Sequence, residues 1–259
     1  MAILPQLLSF YSSPEPVFCM RNGSETSESV LEGAMSVRFS AERYCIGYMD
    51  EEEWVQCDDR MRGVAQCPKC RSLDISNVFS KLDFSAYPEM EDEYVDQDFS
   101  VYLAQFGNDL IKCGVTKSER LPRRTMEQGA DFWAEIMRFD DGRQAYEAEM
   151  RIQRRFELCN AVRNSTKLAL IGKATSPARL ESVIKSAKCD KALPIQNLAE
   201  ALVHENRYYN PIKPVVSLKV DGEIKGSKSK LLFYMKDGKD FVVDMSKNSG
   251  RFFKMEKSP

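Results

Sequence analysis

The chain has a single histidine, His204, among 259 residues. Sites built on two or three imidazoles, such as a two-histidine zinc protease centre or a histidine-rich nuclease, cannot be assembled within one copy. Any metal must then be held by thiolates or carboxylates, and a general base is expected from another side chain. Long apolar runs are also missing. The first one, Met1 to Leu8, is cut by Pro5 and Gln6 and has no basic flank, far short of the roughly 20 residues a spanning helix needs. That excludes a secretory or membrane reading and sets the expectation of a cytoplasmic protein with no membrane partner. Charge of one sign is not in excess: 37 basic against 39 acidic residues rules out a uniformly basic nucleic-acid binder. With 43% hydrophobic and 29% charged residues, the chain has an ordinary soluble composition and the length for two or three small domains, each with its own core.

Against these absences stand eight cysteines. In a reducing compartment, cysteines at short spacing point to metal or catalysis rather than to disulfides. Cys45, Cys57, Cys67 and Cys70 fall within 26 residues, and the last two form Cys67-Pro68-Lys69-Cys70. Such a knuckle lets two thiolates reach one ion at about 2.3 Å, and a second pair completes a closed tetrahedral zinc site. Here the second pair, Cys45 and Cys57, is separated by eleven residues, wider than a second knuckle, so free thiols or a looser site remain the alternative. A closed four-thiolate site is structural, because it has no open position for activating water. Cys19, Cys113, Cys159 and Cys189 are expected to be small buried hydrophobes.

The rest of the chain divides by pattern. Residues 1–86 carry weak alternation around Ser36-Val37-Arg38-Phe39-Ser40, a polar run from Asn22 to Glu28 that reads as a loop, and the cysteine cluster. Residues 87–98 hold Glu89, Glu91, Asp92, Glu93, Asp96 and Asp98, a like-charge run expected to be a linker. Residues 99–212 give the order strand, strand, helix, strand, helix. Ser100 to Phe106 and Leu110 to Val115 form a hairpin around Gly107-Asn108-Asp109, and a helix interrupted early by Pro122 stops at Gly129. A strand from Trp133 to Phe139 then places Trp133, Glu135, Met137 and Phe139 on one side, and a helix runs from Arg143 to about Val162 behind an Asp141 cap. A further helix is expected over Ser176 to Lys188. Residues 213–259 show four short strand signals with Asp221-Gly222 and Asp237-Gly238 as turns. The expected architecture is α+β: an N-terminal zinc-ribbon-like β region, the acidic linker, a central three-stranded antiparallel sheet flanked by helices with a helical extension, and a small C-terminal antiparallel meander.

Within the central segment, Ser100-Val101-Tyr102, then Lys112-Cys113-Gly114-Val115-Thr116, then Arg124, then Glu149 resembles the layout of GIY-YIG nuclease domains. The resemblance covers about 60 residues. It implies that Tyr102 takes the tyrosine of the first motif, Gly114 the glycine of the second, Arg124 or Arg123 the helix arginine, and Glu149 the metal-binding glutamate. Lys112 stands where the second motif usually has tyrosine, and Ser100 replaces the first glycine. Together with the cysteine cluster, Glu127-Gln128-Gly129-Ala130 and Val220-Asp221-Gly222-Glu223-Ile224-Lys225-Gly226, the chain also looks like a wider uncharacterised family containing this module.

The implied activity is hydrolysis of a nucleic-acid phosphodiester with magnesium or manganese held by Glu149, a hard oxygen ligand. Arg124 would bind phosphate through its fork, and Tyr102 or a desolvated Lys112 would serve as base. Each residue also has a plainer role: a half-buried strand aromatic, an edge-strand charge, and two solvated helix residues. Two alternatives are therefore carried forward, a non-catalytic zinc-containing protein that binds DNA or RNA and a protein-interaction scaffold. The segment 118–163 has nine arginines and nine acids, but Arg151, Arg154 and Arg155 lie within about one helical turn. Residues 213–259 carry eleven basic and six acidic residues with interleaved aromatics, a composition suited to single-stranded nucleic acid and equally to a small core.

Overall fold

The computed structural model describes residues 4–12, 15–50, 53–81, 84–85, 87–88, 91, 97–190 and 201–257. It divides into two compact units, one made of Met1–Met90 with Pro214–Pro259 and the other of Glu91–Lys213. Most of the acidic stretch 87–98, and with it the expected linker, lies outside the described residues.

In the first unit β1 (Gln6–Ser12), β2 (Pro16–Asn22), β3 (Glu25–Val30) and β4 (Ala34–Arg43) precede the short hairpin β5 (Tyr48–Asp50) and β6 (Glu53–Val55). Helices α1 (Pro68–Leu73) and α2 (Ile75–Lys81) follow. The polar run that reads as a loop is instead the edge strand β3: Arg21 pairs with Thr26 and Met20 with Ser27 around a turn at Gly23. With neither face of β3 covered, polar residues cost nothing there, which is why alternation is absent.

The second unit begins with β7 (Phe99–Phe106) and β8 (Leu110–Lys117), then α3 (Leu121–Gln128), β9 (Phe132–Phe139), α4 (Gly142–Arg155), α5 (Asn164–Leu170), α6 (Ala178–Cys189) and β10 (His204–Glu205). The chain then returns to the first unit with β11 (Val215–Val216), β12 (Val220–Lys228), β13 (Leu231–Lys236), β14 (Lys239–Asp244) and β15 (Arg251–Lys257).

The C-terminal strands do not form a sheet of their own. One nine-stranded sheet runs β11-β14-β13-β12-β4-β15-β1-β2-β3, so both ends of the chain share it. The reason is burial: Phe18 meets Phe253 edge to face at 5.3 Å and Phe10 at 6.1 Å, and Val37, Val220 and Leu232 close the same core. None of these short segments has enough apolar surface to stand alone. Asp237-Gly238 is the expected turn, with φ of 51° and 71°. Asp221-Gly222 is not a turn but lies inside β12, paired with Ser36 and Met35 of β4. At Gly222 a Cβ would come within 2.4 Å of the Met235 carbonyl oxygen; the glycine serves close strand approach rather than chain reversal.

The second unit is built on the antiparallel sheet β10-β9-β7-β8, the three expected strands with a two-residue fourth at one edge. Tyr102, Ala104, Phe106 and Trp133 face Leu121 and Ala130 on one side of the sheet, the side that carries α3. Alternation turns Val101, Leu103 and Cys113 the other way, and α4 packs against β7, β8 and β9 with Ala145, Ala148 and Ile152 buried. A register shift between Val101 and Tyr102 against β9 breaks the expected single-sided row of that strand. Glu135 pairs with Tyr102, whereas Met137 pairs with Val101 and Phe139 with Phe99, on the opposite face. Pro122 sits in the first turn of α3, where a missing N–H is harmless, and Gly129 ends that helix in the left-handed conformation at φ 75°. Asp141 caps α4 through Arg143 N and Gln144 N, but the helix stops at Arg155, short of the expected Val162.

Candidate metal centre and candidate catalytic groove

Cys45 leaves the end of β4, Cys57 follows β6, and Cys67 caps the start of α1, which carries Cys70. Their four Sγ atoms lie within 4.8 Å of one another, and all four residues are buried. A tetrahedral zinc with bonds of about 2.3 Å sets its sulfurs about 3.8 Å apart; the Cys57 to Cys67 separation is 3.9 Å. Backbone amides point at the sulfurs, with Gly47 N and Cys67 N donating to Cys45 Sγ at 3.4 and 3.2 Å and Cys70 N to Cys67 Sγ at 3.4 Å. Such bonds favour the thiolate. Burial raises the Cys57 pKa, but bonds from Met61, Cys45, Cys70 and Asp59 outweigh it and bring it down to about 7. Burial raises Cys45 and Cys70, and the neighbouring thiols push Cys70 further up. The four donors fit a soft, closed site, so this cluster could hold a metal such as zinc.

The residues that hold the knuckle are not among the candidates the sequence offers. Gln66 Nε2 donates to Gly47 O at 3.1 Å and to Asp74 Oδ2 at 2.7 Å, and buried Asp74 also accepts from Met49 N and Ser76 N at 3.4 and 3.1 Å. Asp74, immediately before α2 and two residues ahead of Ser76, was the available cap signal. Gly47 (φ 85°) is required, because a Cβ there would fall on the Val55 carbonyl oxygen.

In the second unit Tyr102 is paired with Gly114 across β7 and β8, and Ala104 with Lys112. The ring of Tyr102 lies over Gly114 so closely that a Cβ would come within 2.6 Å of its Oη. Its hydroxyl donates to Gln128 Oε1 of α3 at 3.2 Å. Lys112 is half-buried on β8, where the chain at Cys159 bridges it in parallel. Glu149, half-buried on α4, accepts at Oε1 from Gln153 Nε2 at 2.9 Å. Its other oxygen accepts no hydrogen bond from the described residues. Arg124 is exposed on α3 and lies 4.0 Å from Glu127.

Tyr102 and Lys112 each lie within electrostatic reach of Arg124 and Glu149. Burial pushes the Tyr102 pKa up to about 12, with Arg124 and Gln128 opposing and Glu149 adding to the rise. Burial lowers Lys112, and Arg124 lowers it further while Glu149 opposes. Burial raises Glu149 against the pull of Lys112 and Gln153. Gln128 and Gln153 were not anticipated; Gln153 follows Glu149 by one helical turn, a spacing that could have found it.

Beyond Tyr102 on the same strand pair, Arg138 grips Glu135 through Nε and NH2, both at 3.0 Å, and Ser100 lies 2.5 Å from Glu135 Oε1. Glu135 and Arg138 border a cleft of about 290 Å³ in which His204 stacks on Trp133 at 4.3 Å.

The expected arginine patch on α4 is exposed, but Arg151 pairs with Glu147 and Arg155 with Asp190, leaving a smaller positive field than three arginines suggest. Cys19 and Cys113 are buried, whereas Cys159 is half-buried and Cys189 is exposed, so the expectation of four small buried hydrophobes holds for two of them. No helix among the described residues is long and apolar enough to cross a membrane.

The molecule is thus a mixed α+β protein of mostly antiparallel strands with a buried four-cysteine cluster. The chain belongs to the family described as Protein of unknown function (DUF2797), whose model matches residues 33–251. That span contains the four cysteines and Tyr102, Lys112, Arg124 and Glu149. No curated protein and no solved structure matches.

Proposed function

We propose that this protein is a metal-dependent phosphodiester hydrolase acting on DNA or RNA, with a GIY-YIG-like central module and a structural zinc at Cys45, Cys57, Cys67 and Cys70. The observation that carries this is the electrostatic reach of Arg124 and Glu149 to both Tyr102 and Lys112, four residues drawn from four elements. Glu149 suits magnesium or manganese, since it offers a hard carboxylate oxygen that accepts no hydrogen bond from the described residues and its ionised form is disfavoured by burial until a cation lies beside it. When bound there, the ion supplies charge neutralisation at the phosphate.

The chain's own residues divide the remaining work. Arg124 reaches phosphate oxygens through its guanidinium fork. Lys112, whose charged form is disfavoured by burial, accepts the proton of the attacking water at Nζ. Tyr102 is held by Gly114 and Gln128 and keeps its proton, because burial raises its pKa to about 12; it orients rather than abstracts.

The test is nicking of plasmid DNA and of RNA by purified protein with manganese or magnesium. Glu149→Ala is expected to abolish cleavage, and Lys112→Met to lower it by about 10²–10⁴-fold, the usual worth of a general base. Full activity in Glu149→Ala sinks the assignment. Lysine in place of the second-motif tyrosine favours one alternative, a groove that binds nucleic acid without cutting it. In that case cleavage is absent, while binding at low salt falls steeply as salt is raised.

A further inference from the structure

The first unit carries a cleft of about 1060 Å³ beside the cysteine cluster, at the upper end of the roughly 300–1,000 Å³ that small-ligand sites occupy. Tyr44 and Phe252, whose rings meet edge to face at 5.8 Å, and Leu4, 44% exposed, give it an apolar wall. Arg21 and Arg60 line the same space. Arg21 is only 4% exposed; it donates to the Ile46 and Trp54 carbonyl oxygens at 3.0 and 3.4 Å and forms no ion pair with the described residues. Arg60 is exposed, and its backbone N–H bonds to Cys57 O at 3.4 Å, so the metal loop itself fixes its place. Glu42, the one acid on the wall among the described residues, is engaged by the Tyr44 hydroxyl and by Arg62. Buried charges are normally paired. The thiol of Cys45 acts on Arg21; of the two guanidinium groups on the cleft, Arg60 is the exposed one and so the one an incoming ligand meets first.

We propose that this cleft binds a small amphipathic anion, its planar or alkyl body against Tyr44, Phe252 and Leu4 and its acidic group at Arg60 and Arg21. An apolar wall fixes the body by area, and a guanidinium selects the acid by charge-assisted hydrogen bonds. The cleft's residues belong to the first unit and Glu149 to the second, so either assignment can fail without the other.

The test titrates 8-anilinonaphthalene-1-sulfonate, and its uncharged counterpart N-phenyl-1-naphthylamine, into the metal-loaded full chain. The sulfonate is expected to saturate at one per chain and to bind about tenfold more tightly than the neutral probe, the worth of one charge-assisted bond. Arg60→Gln, at an exposed position, is expected to leave the far-ultraviolet dichroism unchanged and to erase that preference while the neutral probe binds as before. Leu4→Asp is expected to weaken both probes. Competition with adenosine monophosphate and with decanoate identifies the source of the anion, since displacement by either supports the site. Equal affinity for both probes, absence of saturable binding, a preference that survives Arg60→Gln, or displacement by neither competitor overturns it.

Discussion

The two side-chain clusters of this protein differ in how they meet solvent. In the first unit the four thiols are between 1 and 3% exposed and touch one another. In the second unit exposure is graded: Tyr102 is buried, Lys112 and Glu149 are half-buried, and Arg124 is open. A closed set of soft ligands leaves no position for a substrate and holds a fold. A graded set keeps one end dry, where burial shifts proton affinities, and one end wet, where a phosphate can arrive. The same contrast separates the supports, because backbone amides hold the thiols whereas side-chain amides, Gln128 and Gln153, hold the tyrosine and the glutamate.

The largest expected effect follows from the closed cluster. The chain has one tryptophan in each unit, Trp54 and Trp133, so each can be read separately in Trp133→Phe and Trp54→Phe chains. Chelation of the metal, or Cys70→Ser, is expected to shift Trp54 emission to that of unfolded chain, since structural zinc contributes on the order of 10 kcal/mol of apparent binding energy. Trp133 emission is expected to stay unchanged. A metal content near zero in reduced, freshly purified protein would break the comparison at its first member.

Next in size is Gly114→Ala. The added methyl meets the buried Tyr102 ring, and a ring that is 1% exposed has nowhere to go. The expected cost is about 1–3 kcal/mol, read as a lower denaturant midpoint for Trp133 with Trp54 unmoved. Tyr102→Phe keeps the ring and loses the hydroxyl's bond to Gln128, so about 1 kcal/mol is expected. A Tyr102→Phe loss as large as that of Gly114→Ala would mean that the hydroxyl, not the fit of the ring, fixes this face.

How much of this was legible depends on the kind of signal. The cysteine cluster could be read because metal ligands act at short spacing, and the Cys67-Pro68-Lys69-Cys70 turn carries its own geometry. The β7–β8 hairpin could be read because a glycine turn sits between two apolar strands. The shared nine-stranded sheet could not, since β4 pairs with β12 and β15 across almost the whole chain, and local pattern contains no term for such pairing. The turn of Met137 and Phe139 away from the face of Trp133 and Glu135 was hidden by a single register shift, which reverses every later side chain of the strand. The short α4 was hidden because the apolar stripe runs on past Phe156, where the backbone leaves the helix and Glu157 takes φ 52°.

The smallest expected effect sharpens the comparison most, because it asks whether Glu149 is built to be paired within the chain or to await a cation. Burial raises its pKa above the ordinary 4.5, against Lys112 and Gln153. An acid with a raised folded-state pKa binds its proton more tightly in the folded state, so ionisation costs stability. That cost is absent below the unfolded value, grows as pH rises from there through the folded pKa, and is constant above it. Glu149→Gln carries no charge, so in metal-free buffer it is expected to match the parent at pH 3.5 and to exceed it modestly at pH 7, measured by denaturant midpoints of Trp133. The gain is small because the substitution also removes the attraction that favours the charged form of Lys112. Manganese is expected to narrow the difference by stabilising only the parent. A variant less stable than the parent at pH 7 without metal would mean that Lys112 and Gln153 already satisfy the carboxylate. Glu149 would then be a structural ion-pair member like Arg151 and Glu147, and the second cluster would resemble the first in being complete within the chain.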